Sequence, residues 1–403
     1  MTRRRAVLGV IVLLAGVAFA GAWHIFAEAG LLQNVGVSGP DGPPPGWLHR
    51  LVHGRHYVMF GLSDEMLARE RLDVNPAPWE DGLRADTGPG CFEWWYFDAH
   101  LDDGSTAVIV FLTKPAAQRE GPLNPHVQVR VTRPDGHLIE HTLFYAPDQF
   151  SAARDTCAVR IGPNWVRGDL DRYQLHIEAE DVAGALTFDG EVPAWRPGTG
   201  KNFYDPDLSR YFGWLAAVPF GRVAGTLTYE GETHRVRGTG YHDHNWGNVT
   251  PNVVMSQWYW GRAHVGEFTL IFVEIASSAQ YGYERIPIFM LAKGDTLITG
   301  DGRPLTLDAR DFVTHDGGRA YPQELDLRWE GDTGSIRISL RNPTLIEATD
   351  LLEGVPAWQR VLAGLFMTPY YFRFDSELTL SVDLEDITAE AHGRCLYEQM
   401  LLD

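Results

Sequence analysis

Glu93-Trp94-Trp95-Tyr96-Phe97-Asp98-Ala99-His100 can be laid on Gln257-Trp258-Tyr259-Trp260-Gly261-Arg262-Ala263-His264. The leading Trp, the Ala and the His coincide, and an aromatic residue follows each leading Trp. A turn and a second apolar run come after each copy: Ala107-Val108-Ile109-Val110-Phe111, and Phe268-Thr269-Leu270-Ile271-Phe272. One matched octapeptide could arise by chance. A match that runs through strand, turn and strand predicts two copies of one β-domain.

Working outward, the same grammar repeats along the chain. Asp102-Asp103-Gly104 and Pro134-Asp135-Gly136 are hairpin turns between β-rich runs. Tyr211 to Val218 and Arg222 to Tyr229 are expected to form a hairpin around Pro219-Phe220-Gly221. Among the 403 residues, 13 Trp, 42 Gly and 24 Pro favour short strands and tight turns over long helices. The expected fold class is all-β, with two tandem barrel-like domains. The first spans residues 86–247 and the second 248–403.

The chain's beginning reads differently. Arg3-Arg4-Arg5 precede an apolar run from Ala6 to Phe26, broken at His24. About 20 such residues can span a bilayer, and the basic flank should stay cytoplasmic. Residues 1–28 are therefore expected to be a transmembrane anchor, or a signal peptide cut near Ala18-Phe19-Ala20. That places the folded body on the extracytoplasmic or periplasmic side, or outside the cell if the segment is cleaved. Residues 29–85 read as linker and extension, with a helical pattern between Trp47 and Arg71 signalled by Ser63-Asp64-Glu65. The net charge of -19 excludes a nucleic-acid partner. Cys91, Cys157 and Cys395 show no C-x-x-C spacing and no expected bridge.

The densest chemistry lies in Gly240-Tyr241-His242-Asp243-His244-Asn245-Trp246-Gly247, at the seam of the two repeats. Strand alternation puts His242 and His244 on one face and Asp243 on the other. Two same-face imidazoles without a third ligand do not make a metal site, and no metal is assigned. Asp243, buried among rings, would have a raised pKa and could act as a general acid, with a His relaying its proton. The competing reading is a hydrogen-bonded turn that ties two domains together. Trp246 and the run Trp258-Tyr259-Trp260, with Trp94 and Tyr96 from the first copy, would wall a hydrophobic ligand or shield a cation. Glu93 reads as structural, Arg262 as stacking on a ring or pairing with a carboxylate, and Lys114 as a surface residue. No nucleotide loop, G-x-S-x-G elbow or H-E-x-x-H run is present, so no cofactor is expected.

At Glu93-Trp94-Trp95-Tyr96-Phe97-Asp98 and Gly238 to Gly247 the chain resembles the carotenoid 1,2-hydratase (hydroxyneurosporene synthase) family. That group is related to tandem lipocalin-like proteins, some of them fungal pericyclases of the Diels–Alderase type. The resemblance implies paired calycin-type barrels with a hydrophobic ligand near their interface. It also implies cofactor-free hydration of a terminal double bond in an acyclic isoprenoid. The family's His and Trp fall on His244 and Trp246. Its acid falls on Glu274, and Phe272 stands where a Tyr is expected. His242 and Tyr259 complete the expected pocket. The leading expectation is acid-catalysed hydration or cyclisation of a carotenoid- or isoprenoid-like substrate by a membrane-associated enzyme. The alternatives are a lipid-binding carrier without chemistry, and a pericyclase-like enzyme whose pocket shapes a folded substrate.

Overall fold

Alternation of buried with partly or fully exposed positions, as along Phe372, Phe374, Ser376, Leu378, Leu380 and Val382, gives such a strand one face for a core. A computed structural model of the chain describes residues 59–351 and 369–402. It is nearly all β and holds two sheets. The first contains β1 (Met59–Phe60), β2 (Phe92–Leu101), β3 (Thr106–Leu112), β4 (His126–Thr132), β5 (Leu138–Phe144), β6 (Phe150–Ala152) and β7 (Cys157–Ile161). It continues with β8 (Asn164–Gly168), β9 (Arg172–Ala179), β10 (Val182–Gly190), β11 (Lys201–Phe203), β12 (Tyr211–Tyr229) and β13 (Glu232–Gly247). The second contains β14 (Met255–Val265), β15 (Phe268–Ser277), β16 (Arg285–Lys293), β17 (Thr296–Thr299) and β18 (Leu305–Thr314). It ends with β19 (Ala320–Gly331), β20 (Gly334–Asp350), β21 (Tyr370–Leu384) and β22 (Ile387–Leu401).

Both sheets are antiparallel meanders curled so that the opening strand pairs with the closing one. β2 lies between β3 and β13, and β14 lies between β15 and β22. Neither sheet closes into a full hydrogen-bonded barrel. Among the described residues, β5 and β6 end the first sheet and β17 and β18 end the second. Each sheet is a curled half-barrel with one open seam rather than the closed barrel expected.

Three apolar layers result. One fills the first curl with Trp95, Phe97, Tyr173, Phe188 and Trp246. One fills the second with Tyr259, Phe272, Phe289, Phe374 and Tyr397. The third lies between the sheets, where Trp214, Tyr241, Val273, Ile275 and Ile288 meet Tyr96, Trp258 and Trp260. At the edge of this middle layer Asp98 accepts hydrogen bonds from Arg262 (2.7 Å) and Arg373 (2.8 Å). Arg262 also lies 4.7 Å over the Tyr241 ring, so it both pairs and stacks.

Three local expectations need correction. Tyr211 to Tyr229 is one strand, not a hairpin. Register shifts on either side of Val218 let it pass Pro219, which has no N–H to give the ladder. Lys114 is buried, because its ammonium donates to the carbonyls of Gly88 (2.8 Å) and Gly121 (2.9 Å). The later part of the segment read as linker is folded onto the first sheet. α1 (Asp64–Glu70) starts at an N-cap Ser63, β1 pairs with β11, and Glu80 forms a buried ion pair with Arg196. The segment read as an anchor or signal, the proline-rich stretch and the helical pattern's start at Trp47 lie outside the described residues. Among the described residues no helix is long and apolar enough to cross a membrane.

Asp98→Ala strands two mostly buried guanidinium groups at the sheet–sheet contact. The loss expected is about 3–5 kcal/mol of unfolding free energy, measured by urea titration. A loss below about 1 kcal/mol contradicts the assigned role.

Candidate active site

β13 carries polar chemistry on both faces, and the pleat sorts it. Tyr241, Asp243 and Asn245 open into a cavity of about 240 Å³ between the sheets. His242, His244 and Trp246 turn inward to the first curl, where all three are buried. The cavity's rings come from Trp94, Tyr96, Phe212, Trp214, Tyr241, Trp258 and Trp260, and its aliphatic wall from Met255, Val273, Ile275 and Ile288. Pro197, Gly200, Asn202, Pro251 and Glu398 complete the lining.

Asp243 is the most heavily bonded polar group there. Trp214 Nε1 donates to its Oδ2 at 3.0 Å and Tyr241 OH donates to the same oxygen at 2.9 Å. Asn245 Nδ2 donates to its Oδ1 at 2.8 Å. Burial pushes the carboxyl above the ordinary range. The three hydrogen bonds and the nearby His242 pull the other way without cancelling it. Glu398 enters from β22 on the opposite sheet, its Oε1 accepting from Tyr371 OH at 2.7 Å. Burial raises this carboxyl too, against the opposing pull of Arg373 and the Tyr371 hydrogen bond. Tyr241 is driven well above its ordinary value by burial and by Asp243, so its phenol keeps its proton.

The inward face holds a different system. His244 Nε2 lies 2.8 Å from Glu93 Oε1, and its ring stacks on Trp95 with centroids 4.7 Å apart. Its Nδ1 lies 3.2 Å from Asp81 Oδ1, off the line of a hydrogen bond, so that contact is one of charge. Asp81 Oδ2 accepts from Tyr173 OH at 2.6 Å and lies 3.1 Å from His242 Nε2. His242 Nδ1 donates to the Tyr96 carbonyl at 2.8 Å. Glu93 also accepts the backbone N–H groups of Arg84 (2.7 Å) and Ala85 (2.8 Å). Burial opposes charge on His244, but Asp81 and Glu93 overcome it and raise the imidazole above its ordinary value. Burial would raise Asp81, but the two imidazoles hold it well below the carboxylate range. Asp81, Cys157 and His242 bring donor atoms within 4.8 Å of one another. These are donor types zinc accepts, but Asp81 Oδ2 is already engaged by Tyr173 and His242.

Of the residues singled out from sequence, the cavity gathers Asp243, Trp94, Tyr96, Trp258 and Trp260. It does not gather the others. His242, His244 and Trp246 lie on the inward face of β13, and Trp246 packs flat against Gly213, where a Cβ would clash with its indole. Tyr259 and Phe272 belong to the second curl's core, and Tyr259 takes a hydrogen bond from Gln399 at 3.1 Å. Glu274 lies across the strand pair from Tyr259, on that same far face, and accepts from Arg285 at 2.6 Å. The cause is the period of two: Val273 and Ile275 face the cavity, so Glu274 between them cannot. Sequence reasoning placed Asn245 in the polar run but gave it no role, and it missed Trp214 and Glu398. No local motif marks these two, and only following the repeat into its closing strands would have reached Glu398.

The chain belongs to the Diels-Alderase-like family, whose model matches residues 85–322. It is 26% identical over 237 residues to the quinolone epoxide rearrangement protein penF of Penicillium thymicola, covering 54% of this chain and 63% of that protein. It is 25% identical over 219 residues to a hydroxyneurosporene dehydrogenase of Chlorobaculum tepidum, covering 46% of this chain and 56% of that one. The chain thus spans less than two thirds of the length of these relatives. The crystal structure of CghA with Sch210972 aligns with TM-score 0.54 and 15% identity, over 86% of this chain and 99% of that one. At that identity the likeness shows a shared fold.

The inward array makes a signed prediction. His244 has a folded pKa above its unfolded one, so its contribution is complete below about pH 6.5 and fades as pH rises through the folded value. Removing it by His244→Gln should cost about 3–5 kcal/mol in acid conditions, because Asp81 and Glu93 lose their shared partner. The gap between the two proteins should narrow with rising pH in chemical denaturation. A gap that widens with pH contradicts the charge assigned to His244.

Proposed function

We propose that this protein is a cofactor-free enzyme that folds a compact, mostly apolar substrate between its two sheets and guides an intramolecular ring closure or rearrangement. The observation that carries the reading is Asp243, set with its three donors in a wall of rings. Aromatic and aliphatic walls select one folded conformer of a flexible molecule. The conversion of many conformers into a near-attack one is where a pericyclase gains rate. Asp243 supplies the polar contact that fixes the substrate's orientation, and its raised pKa suits proton exchange during the reaction. The family's description as Diels-Alderase-like and the name of the penF relative support intramolecular chemistry.

Hydration of an isoprenoid has less support. Of the residues it relies on, Asp243 lines the cavity, but His244, Trp246 and Glu274 are engaged on faces away from it. The cavity of about 240 Å³ is also smaller than the roughly 300–1,000 Å³ of drug-sized sites. It suits a compact molecule, or the reacting part of a longer one, better than a whole carotenoid. A simple carrier has no use for the donor array around Asp243. The arginine-flanked apolar segment at the start supports a body held at the extracytoplasmic face of a membrane.

The test is mass spectrometry of the organic extract of gently purified full-length protein, before and after incubation. An isomer of the bound compound is expected. A product heavier by one water supports hydration, and a lipid recovered unchanged supports the carrier. With the substrate identified, Asp243→Asn should lower kcat by about 10²–10⁴, while Trp258→Ala should chiefly raise KM. Wild-type turnover in Asp243→Asn contradicts the assignment.

A further inference from the structure

The internal repeat extends to the strands that close each sheet. Tyr96 and Trp260 hold the same place in the two copies, and the residue paired with each on the closing strand is Asp243 and Glu398, respectively. Two residues along, Asn245 and Met400 are counterparts, and their partners on the next strand are Trp214 and Tyr371. Trp214 donates to Asp243 at 3.0 Å and Tyr371 donates to Glu398 at 2.7 Å. Each copy therefore carries a carboxyl on its closing strand and the donor for that carboxyl on the strand beside it. Both carboxyls line one cavity. Asp98 and Arg262, also counterparts, are bonded to each other at 2.7 Å, which sets the two copies face to face.

We propose that Glu398 is a second catalytic carboxyl, working with Asp243 across the cavity, and that the substrate is an enolisable carbonyl compound whose reactive diene forms by proton transfer within this pair. The proposal rests on the ring-closure reading and assigns the step before it. Hydrogen bonding divides the roles. Asp243 accepts from Trp214, Tyr241 and Asn245, which stabilises its anion, whereas Glu398 accepts from Tyr371. Around Glu398 stand Arg373 and Asp98, whose charges offset each other, with Tyr371 and Asp243. Around Asp243 stand His242 and Tyr241. Two like charges in one apolar cavity oppose joint ionisation, so the pair keeps one proton and Glu398 holds it.

The step balances without a co-reactant. The carbonyl is conjugated on one side to a C=C bond that the substrate already carries. The Asp243 carboxylate takes a proton from the carbon on its other side, and that C–H electron pair becomes the new, second C=C bond. The carbonyl π pair moves to oxygen, which takes the Glu398 proton. The product is a dienol, with Asp243 neutral and Glu398 ionised. After ring closure, ketonisation runs the two transfers in reverse and returns both carboxyls to their starting states. The net change is an isomerisation.

The probe is benzoylacetone, a compact aryl β-diketone whose enol absorbs in the ultraviolet. Full-length protein should accelerate its enol–ketone interconversion at least tenfold over the Asp243→Asn/Glu398→Gln double variant. Each single variant should lose most of that acceleration, and the double variant should be no worse than either, as for groups acting as a unit. In ¹³C NMR titration of the wild type, Glu398 should lose its proton at higher pH than Asp243. Asp243→Asn should shift the Glu398 titration to lower pH.

No acceleration by the wild type, full acceleration by Glu398→Gln, or a Glu398 titration indifferent to Asp243 each overturns the proposal. The titration keeps the test open if a variant misfolds. Ring closure of the extracted substrate separates the two ideas. If it survives in Glu398→Gln but not in Asp243→Asn, the pair is wrong and the ring-closure reading stands. If it survives in both, each reading loses its carboxyl.

Discussion

The rest of the structure depends on the buried contact of His244 with Glu93 and Asp81. Glu93 lies on β2, His244 on β13, and Asp81 on the segment between α1 and β2. One imidazole therefore joins the opening strand, the closing strand and the chain's entry into the fold. Burying these charges is costly unless each finds a partner. The backbone donors from Arg84 and Ala85, the Tyr173 hydroxyl and His242 meet that need. The array also fixes register. A slip of one residue in β13 would bring Asp243 into the core and His244 into the cavity.

With the register fixed, the outward face becomes available for chemistry. Tyr241, Asp243 and Asn245 stand in a row facing a second sheet built by the same rules. The repeat does not bring two identical surfaces together. Asp98 meets its counterpart Arg262, so charge complementarity holds the sheets where two copies of either residue would repel. His244 has Gln399 as its counterpart, opposite Tyr259, and there the core needs no ion. Stability and site are thus divided between the copies. The first copy holds the buried charge array, and both contribute to the cavity wall.

Much of this was legible in the sequence. The octapeptide repeat located β2 and β14, and the apolar run Ala107 to Phe111 lies within β3. Alternation alone separated His242 and His244 from Asp243. What it could not give was which face looked into a cavity and which into a core, because both faces of β13 carry polar residues. That depends on Asp81, which is far away in sequence and stands in a stretch that read as linker. Glu398 was illegible for a related reason. Leu396-Tyr397-Glu398-Gln399-Met400 has no motif, and its kinship with Tyr241-His242-Asp243-His244-Asn245 is one of strand register rather than of letters. The passage of β12 through Pro219 was hidden because a bulge and a turn share the same residues.

The central claim is that ligand binds on the Asp243 side of β13. A crystal structure of the full-length protein with the compound recovered from its own extract tests this most directly. The account predicts density between the sheets, against Trp258 and Trp260, with a polar atom of the compound about 2.6–3.2 Å from Asp243. Density inside the first curl, against His244 and Trp246, would contradict it.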